Sequence, residues 1–198
     1  MGVLRLAGVT RAHAGRAVWP PLDLALEGGT LTVVTGPNGS GKTTLLRLAA
    51  GLLRPTTGER ECTGTALYVR GAAGLRSAQT VRDAVAGNAA LVGRRGAAPE
   101  ALRLLGLETL AGRRVGTLSA GEGVRAALAA AVACSPALLC LDEPTAALDD
   151  AALADLVAVL EAVRAAGTAL LVATHQPDAL LPVADARLVL GEGRVRLR

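Results

Sequence analysis

The chain has 198 residues, a formal net charge of +4 and 51% hydrophobic residues, with one Trp, one Tyr and no Phe. That length fits a single domain whose core has to be built from Leu, Val and Ala. Its 21 basic residues are scattered, and the near-absence of aromatic rings excludes a stacking surface for nucleic acid, so no nucleic-acid partner is expected.

In chain order, residues 3–34 alternate short apolar stretches with Gly and Pro, as β-strands do. "TLTVVTG" (30–36) reads as a strand ending at glycine. Residues 42–50 read as a helix, with Gly51 beyond its end and Pro55 after it. "ALYV" (66–69) is a strand candidate. Residues 74–116 carry Ala- and Arg-rich helical stretches, and "EGVRAALAAAVA" (122–133) is a helix stopped by Pro136. "ALLCL" (137–141) is a short buried strand. Leu153, Leu156, Val157, Leu160 and Val163 follow helical spacing up to Gly167, and "TALLVAT" (168–174) is the next strand. Residues 187–190 and 194–197 flank a Gly-Glu-Gly turn as a terminal hairpin. Strands alternating with helices predict a largely parallel sheet, interrupted by the helices between 74 and 135.

Cys62, Cys134 and Cys140 are odd in number and lack metal-site spacing, so free thiols in a reducing compartment are expected. No signal-peptide pattern opens the chain. The longest apolar run, Ala126 to Leu141, contains Ser135 and Pro136 and is too short for an ordinary membrane span, so a soluble chain is expected.

Lys42 is the only lysine among 21 Lys and Arg. It stands in "GPNGSGKT", between a strand and a helix, where a phosphate loop belongs. Glycines let backbone N–H groups curl around phosphate oxygens, and the following helix adds its positive end. A compact ammonium fits between β- and γ-phosphates where a forked guanidinium does not. The Thr43 hydroxyl is expected to ligate Mg²⁺. "LLCLDEP" (138–144) is an apolar strand ending in two carboxylates: Asp142 is expected to hold Mg²⁺, and Glu143 to polarise the attacking water.

"LSAGE" (118–122) precedes "LDEP" at short distance. With the phosphate loop, this order resembles the ATP-binding subunits of ABC transporters, whose signature reads LSGGQ. The resemblance covers nearly the whole chain. It implies a P-loop NTPase of α/β class: a RecA-like core, an N-terminal antiparallel β subdomain and an inserted helical subdomain near 72–135, all within one ABC-type domain, 1–198. It implies ATP and Mg²⁺ as ligands, with Gly36, Pro37, Asn38, Gly39, Ser40, Gly41, Lys42, Thr43 and Thr44 at the nucleotide. Ser119, Ala120 and Gly121 match the signature that meets the γ-phosphate of the opposite subunit, with Arg125 as the basic residue following. Asp149 ends the D-loop match "AALD". His175 matches the switch histidine, completing a catalytic set with Lys42 and Glu143. His13 falls roughly where the family has an aromatic residue on adenine, and Trp19 reads as packing.

Two departures stand out. Glu122 replaces the signature Gln and adds a negative charge. The family's Q-loop Gln, which ligates Mg²⁺ and links nucleotide to membrane subunit, belongs near Gly71 or Ala72. No Gln is there, and Gln79 lies several residues on. The resemblance implies a homodimer or heterodimer of ATP-binding subunits on an integral membrane transporter subunit, in the cytoplasm at the inner face of the membrane. Within the family, the short length, "LSAG", "THQP" and "YVRGAAG" are most similar to the ATPase of haem exporters in cytochrome c maturation. The alternative is a low-turnover, nucleotide-gated regulatory or scaffold module.

Overall fold

Alternation builds the first layer. In the computed structural model, which describes residues 2–13, 15–191 and 194–197, the side chains of His13 and 194–197 excepted, β1 (Gly2–Thr10) buries Leu4, Leu6 and Val9. A two-residue hairpin, β2 (Ala12–His13) and β3 (Arg16–Ala17), leads to β4 (Leu22–Glu27). There Leu22, Leu24 and Leu26 are buried while Asp23, Ala25 and Glu27 face out, the period-two pattern of a one-sided sheet. β5 (Leu31–Thr35) has every residue buried, and α1 (Lys42–Ala49) follows it.

β6 (Thr57–Cys62) completes an antiparallel sheet of order β4-β1-β6. The sequence reading did not anticipate it, because "TGEREC" has no apolar alternation. It is a largely exposed edge strand, and charges there deter pairing with another chain.

The remaining elements are β7 (Ala66–Arg70), α2 (Val81–Leu91), α3 (Ala98–Leu104), α4 (Ala120–Val132), β8 (Leu138–Asp142), α5 (Asp150–Ala165), β9 (Ala169–Ala173), β10 (Ala186–Gly191) and β11 (Arg194–Leu197). The second sheet has order β11-β10-β5-β9-β8-β7. It is parallel from β10 to β7, with β11 antiparallel at the edge. The terminal hairpin is therefore present, though its turn residues Glu192 and Gly193 lie outside the described residues.

Alternate residues of the central strands feed two cores. Leu139, Leu141, Leu170 and Val172 pack with α2, α3, α4 and α5. Leu138, Cys140, Leu171 and Ala173 pack with α1 and the antiparallel sheet. Alanines fill α4, where Ala126, Ala127, Ala129, Ala130 and Ala131 are all buried; small side chains let this helix approach its neighbours closely. The architecture is the expected P-loop NTPase fold: an α/β core with an N-terminal antiparallel sheet and inserted helices. Because β5, β9 and β8 are neighbours, the loops leaving their C-terminal ends are brought together, where open α/β sheets bind ligands.

Candidate nucleotide-binding site

The loop after β5 is shaped by close approaches. A Cβ on Gly36 would lie 2.0 Å from the Leu190 carbonyl oxygen. Gly41 has φ +94°, and a Cβ there would meet Val18 Cγ1 at 2.4 Å and the Trp19 ring at 2.6 Å. The loop thus rests on Trp19, which is 3% exposed and donates its indole N–H to the Val9 carbonyl at 3.2 Å. Its reading as a packing residue holds.

Gly41 is also the N-cap of α1, so it supplies no side-chain acceptor, and the first turn holds no acidic residue. The helix presents its N–H groups and positive dipole end to whatever anion sits there. Ser40 Oγ is buried without a hydrogen-bond partner, an orphaned polar atom of the kind a ligand satisfies. Lys42, 7% exposed, donates from Nζ to the Gly36 carbonyl at 2.8 Å and the Pro37 carbonyl at 3.1 Å. An ammonium has three protons, so one remains for an anion in the loop. The cradle, the orphaned hydroxyl and the uncapped helix fit a phosphate chain.

Asp142 ends β8 and is 2% exposed. Thr43 donates its hydroxyl to Oδ2 at 2.9 Å and reaches Oδ1 at 3.2 Å. The Tyr68 hydroxyl donates to Oδ2 at 2.6 Å. Burial and this bond to Asp142 hold the Tyr68 hydroxyl above its ordinary pKa, so it stays a donor. The sequence reading missed Tyr68. Its signal was its solitude: it is the only Tyr of the chain, on the strand paired with β8. Thr43 and Asp142 offer hard oxygens suited to Mg²⁺. Among the described residues no three His, Cys, Asp or Glu cluster as a metal site, which fits an ion that takes waters and substrate phosphates as further ligands.

Glu143 follows at φ +54°, a left-handed conformation for a side-chain-bearing residue. Its N–H donates to the Ala173 carbonyl at 2.8 Å. The His175 N–H donates to Glu143 Oε2 at 3.1 Å, and His175 Nε2 lies 3.0 Å from Oε1. The Thr145 and Thr174 hydroxyls, 2.5 Å apart and buried, tie the two loops together beneath. The structure therefore gathers Lys42, Thr43, Asp142, Glu143 and His175 at one sheet edge.

Ser119, Ala120 and Gly121 stand elsewhere. Ser119 is the N-cap of α4, and Ala120 and Gly121 are its first turn. Ser119 Oγ accepts from the Glu122 N–H at 3.3 Å, while Glu122 Oε2 accepts from the Ser119 N–H at 2.7 Å, a reciprocal capping box. Arg113 pairs with Glu122 Oε1 at 3.1 Å. The Ser119 N–H, and then Arg113, hold the Glu122 carboxyl below its ordinary pKa. The added charge of Glu122 is thus paired within the chain. Gly121 faces Ala152, where an added Cβ would lie 2.8 Å from the Ala152 Cβ. Asp149 is the N-cap of α5, accepting from the Ala152 N–H at 2.8 Å. Arg125 pairs with Asp155 at 3.6 Å. Signature and D-loop residues pack on each other; the D-loop stays tied to the site through the Ala146 N–H, which donates to the Glu143 carbonyl at 3.3 Å.

The His13 backbone pairs with Arg16; its side chain lies outside what is described. After β7 the Gly71 N–H donates to the Asp142 carbonyl at 3.0 Å, so the turn adjoins the site but brings no side-chain oxygen at Gly71 to Gly74. Gln79 sits beside the N-cap of α2, its carbonyl accepting from the Val115 N–H at 3.0 Å, in the segment that leads to the signature.

The ABC transporter family profile matches residues 20–146. The chain is 40% identical to the cytochrome c biogenesis ATP-binding export protein CcmA of Sphingopyxis alaskensis over 182 residues, 87% of this chain and 90% of that one. It is 36% identical to the zinc import ATP-binding protein ZnuC of Paramagnetospirillum magneticum over 189 residues, 93% of this chain and 72% of that one. A metal-chelate type ABC transporter solved in an inward-facing conformation superposes with a TM-score of 0.89 at 26% identity, covering 100% of this chain and 83% of that chain.

Proposed function

This chain belongs to the ATP-binding subunits of ABC transporters, which are ATPases that power transport, and from that premise we propose that it hydrolyses MgATP at the edge of the parallel sheet to drive export through a separate membrane subunit. The observation that carries the reading is the meeting of Lys42, Thr43, Asp142, Glu143 and His175 beside a loop with an orphaned Ser40 hydroxyl.

Lys42 and the α1 N-terminus bind the phosphates, together with the loop from Gly36 to Thr44. Thr43 and Asp142 hold Mg²⁺, which when bound neutralises phosphate charge. Glu143 takes the proton of the attacking water. His175 steadies the Glu143 carboxylate and faces the transferring phosphoryl group. Ser119, Ala120 and Gly121 serve the site of a second ATP-binding subunit, their end of α4 being engaged with the α5 start of their own chain. Ser119 Oγ spends an acceptor position on the cap and keeps its proton for a phosphate oxygen. Asp149 orders the loop beside it, and His13 is assigned to the base from its place in the sequence alone.

The domain is read as one ABC unit, with 72–135 as its helical subdomain. An apolar cavity of about 420 Å³ between β7, the turn after it, α2 and α4 includes Leu91, 85% exposed. This supports a docking face for the membrane subunit. Among the described residues no helix is long and apolar enough to cross a membrane; the chain sits at the inner face through that subunit. Haem is the substrate favoured by likeness to a cytochrome c biogenesis export protein, although the relatives also include an import protein. The low-turnover alternative is favoured by the missing Gln at 71–72 and by Glu122, whose carboxylate is ion-paired with Arg113.

The test is ATP hydrolysis by the chain with the membrane subunit that copurifies from membranes, reconstituted in vesicles. Hydrolysis coupled to outward movement of haem supports the reading. Slow hydrolysis that the membrane subunit does not alter supports the regulatory module instead.

A further inference from the structure

We propose that Tyr68 is a positioning residue for Asp142 and sets the affinity of the site for its divalent cation. This rests on Thr43 and Asp142 holding that cation. A chain with no Phe and a single Tyr puts that Tyr against the carboxylate at the end of β8. The reason lies in the register: β7 and β8 are parallel, Tyr68 lies opposite Cys140, and Arg70 opposite Asp142. A long side chain rising from Tyr68 therefore reaches the next pair along the strands.

The carboxylate is loaded unevenly. Oδ2 accepts from Tyr68 at 2.6 Å and from Thr43 at 2.9 Å, whereas Oδ1 has only Thr43 at 3.2 Å. One oxygen is pinned and the other is left with its lone pairs largely free. A carboxylate bound to a cation through few protein ligands loses affinity if it rotates, because the entropy of fixing it is then lost on binding. Tyr68 removes that freedom beforehand. The ring is itself held, with the Arg47 guanidinium carbon 5.6 Å from its centroid, a cation–π contact from α1. The turn after β7, Gly71 to Gly74, offers no side-chain oxygen, so the Tyr68 hydroxyl is the polar side-chain contact that this side of the site makes with Asp142.

The experiment uses the whole chain with a non-hydrolysable ATP analogue and Mn²⁺ as a spectroscopic probe, comparing wild type, Tyr68→Phe and Asp142→Asn. Phe keeps the ring and the Arg47 contact and deletes one oxygen. The expected result is a Mn²⁺ half-saturation roughly two- to tenfold higher in Tyr68→Phe, because the freed carboxylate has to be fixed on binding. Analogue binding in excess EDTA should stay at the wild-type value, while the thermal midpoint should fall modestly, because the bond to the buried Asp142 carboxylate exists without the cation. Unchanged Mn²⁺ half-saturation in Tyr68→Phe, with strong dependence in wild type and loss in Asp142→Asn, overturns the role of Tyr68 alone. An equal fall in Mn²⁺ and EDTA binding also overturns it, marking Tyr68 as packing. Wild-type binding indifferent to Mn²⁺ and to Asp142→Asn overturns the metal site itself. Tyr68→Leu, which also removes the ring, should add a loss of thermal stability beyond that of Tyr68→Phe.

Discussion

Glu143 and His175 are joined twice, through the His175 N–H to Oε2 at 3.1 Å and through Nε2 to Oε1 at 3.0 Å. Both carboxylate oxygens are thereby directed by a residue from the end of the neighbouring strand. The backbone of Glu143 is in the left-handed region, where a non-glycine residue costs on the order of 1–3 kcal/mol. Strain at a residue between two structured loops is retained where a carboxylate has to point one way.

Glu143→Gln keeps the size and an acceptor for the His175 N–H but loses basicity. ATP hydrolysis should fall at least about a hundredfold, the ordinary contribution of a positioned base. Nucleotide affinity should hold, and ATP should then accumulate a larger species on size exclusion. A monomer that hydrolyses at the wild-type rate would show that the base is elsewhere.

Lys42→Arg preserves charge and fails on shape. The Nζ sits between the Gly36 and Pro37 carbonyls in a loop whose glycines leave no room for a Cβ at 36 or 41. A planar guanidinium has to displace those carbonyls. MgATP affinity should drop by about 1.5–3 kcal/mol, roughly tenfold to a hundredfold. Equilibrium binding of a fluorescent ATP analogue measures this, and wild-type affinity would contradict the close-packed cradle.

Glu122→Gln tests the ion-paired signature. The folded-state carboxyl titrates below its ordinary value because Ser119 and Arg113 favour its charged form. Its stabilisation is therefore complete above the unfolded value and is lost as pH falls below the ordinary carboxylate range through the folded one. Gln caps Ser119 at every pH. The stability gap between wild type and variant in urea should close or reverse on acidification. At pH 7 the variant should lose under about 1 kcal/mol, the scale of an exposed ion pair. A gap independent of pH would mean that Glu122 does not titrate into this cap.

Ala72→Gln addresses coupling to the membrane subunit. Gly71 has φ +49°, so Gln there is strained, whereas Ala72 is exposed and lies beside Gly123 of α4. Restoring a side-chain oxygen at 72 should raise partner-stimulated ATPase more than the basal rate. Strong stimulation of the natural chain, unchanged in Ala72→Gln, would place the coupling elsewhere, with Gln79 the next residue to substitute.

The nucleotide loop and the two carboxylates were legible because their chemistry is local. A solitary Lys in a Gly-rich turn, or an apolar strand ending in Asp-Glu, states its geometry within eight residues or so. The central strands were legible for a related reason: burial on both faces leaves a continuous apolar run. β6 was not, since an exposed edge strand carries its pairing in backbone groups and its sequence is free to be charged.

What tertiary structure alone decided was which side chains share a charge. Tyr68 and Asp142 are 74 residues apart, and only the parallel register of β7 and β8 brings hydroxyl to carboxylate. Glu122 read alone is an added negative charge; beside Arg113 and the Ser119 N–H it is an ion-paired cap. Sequence determines the chemical groups and their local turns, because those depend on covalent neighbours. The pairing of groups depends on distance through space, and Coulomb and hydrogen-bond energies fall off over a few ångströms that only the packed sheet and helices set.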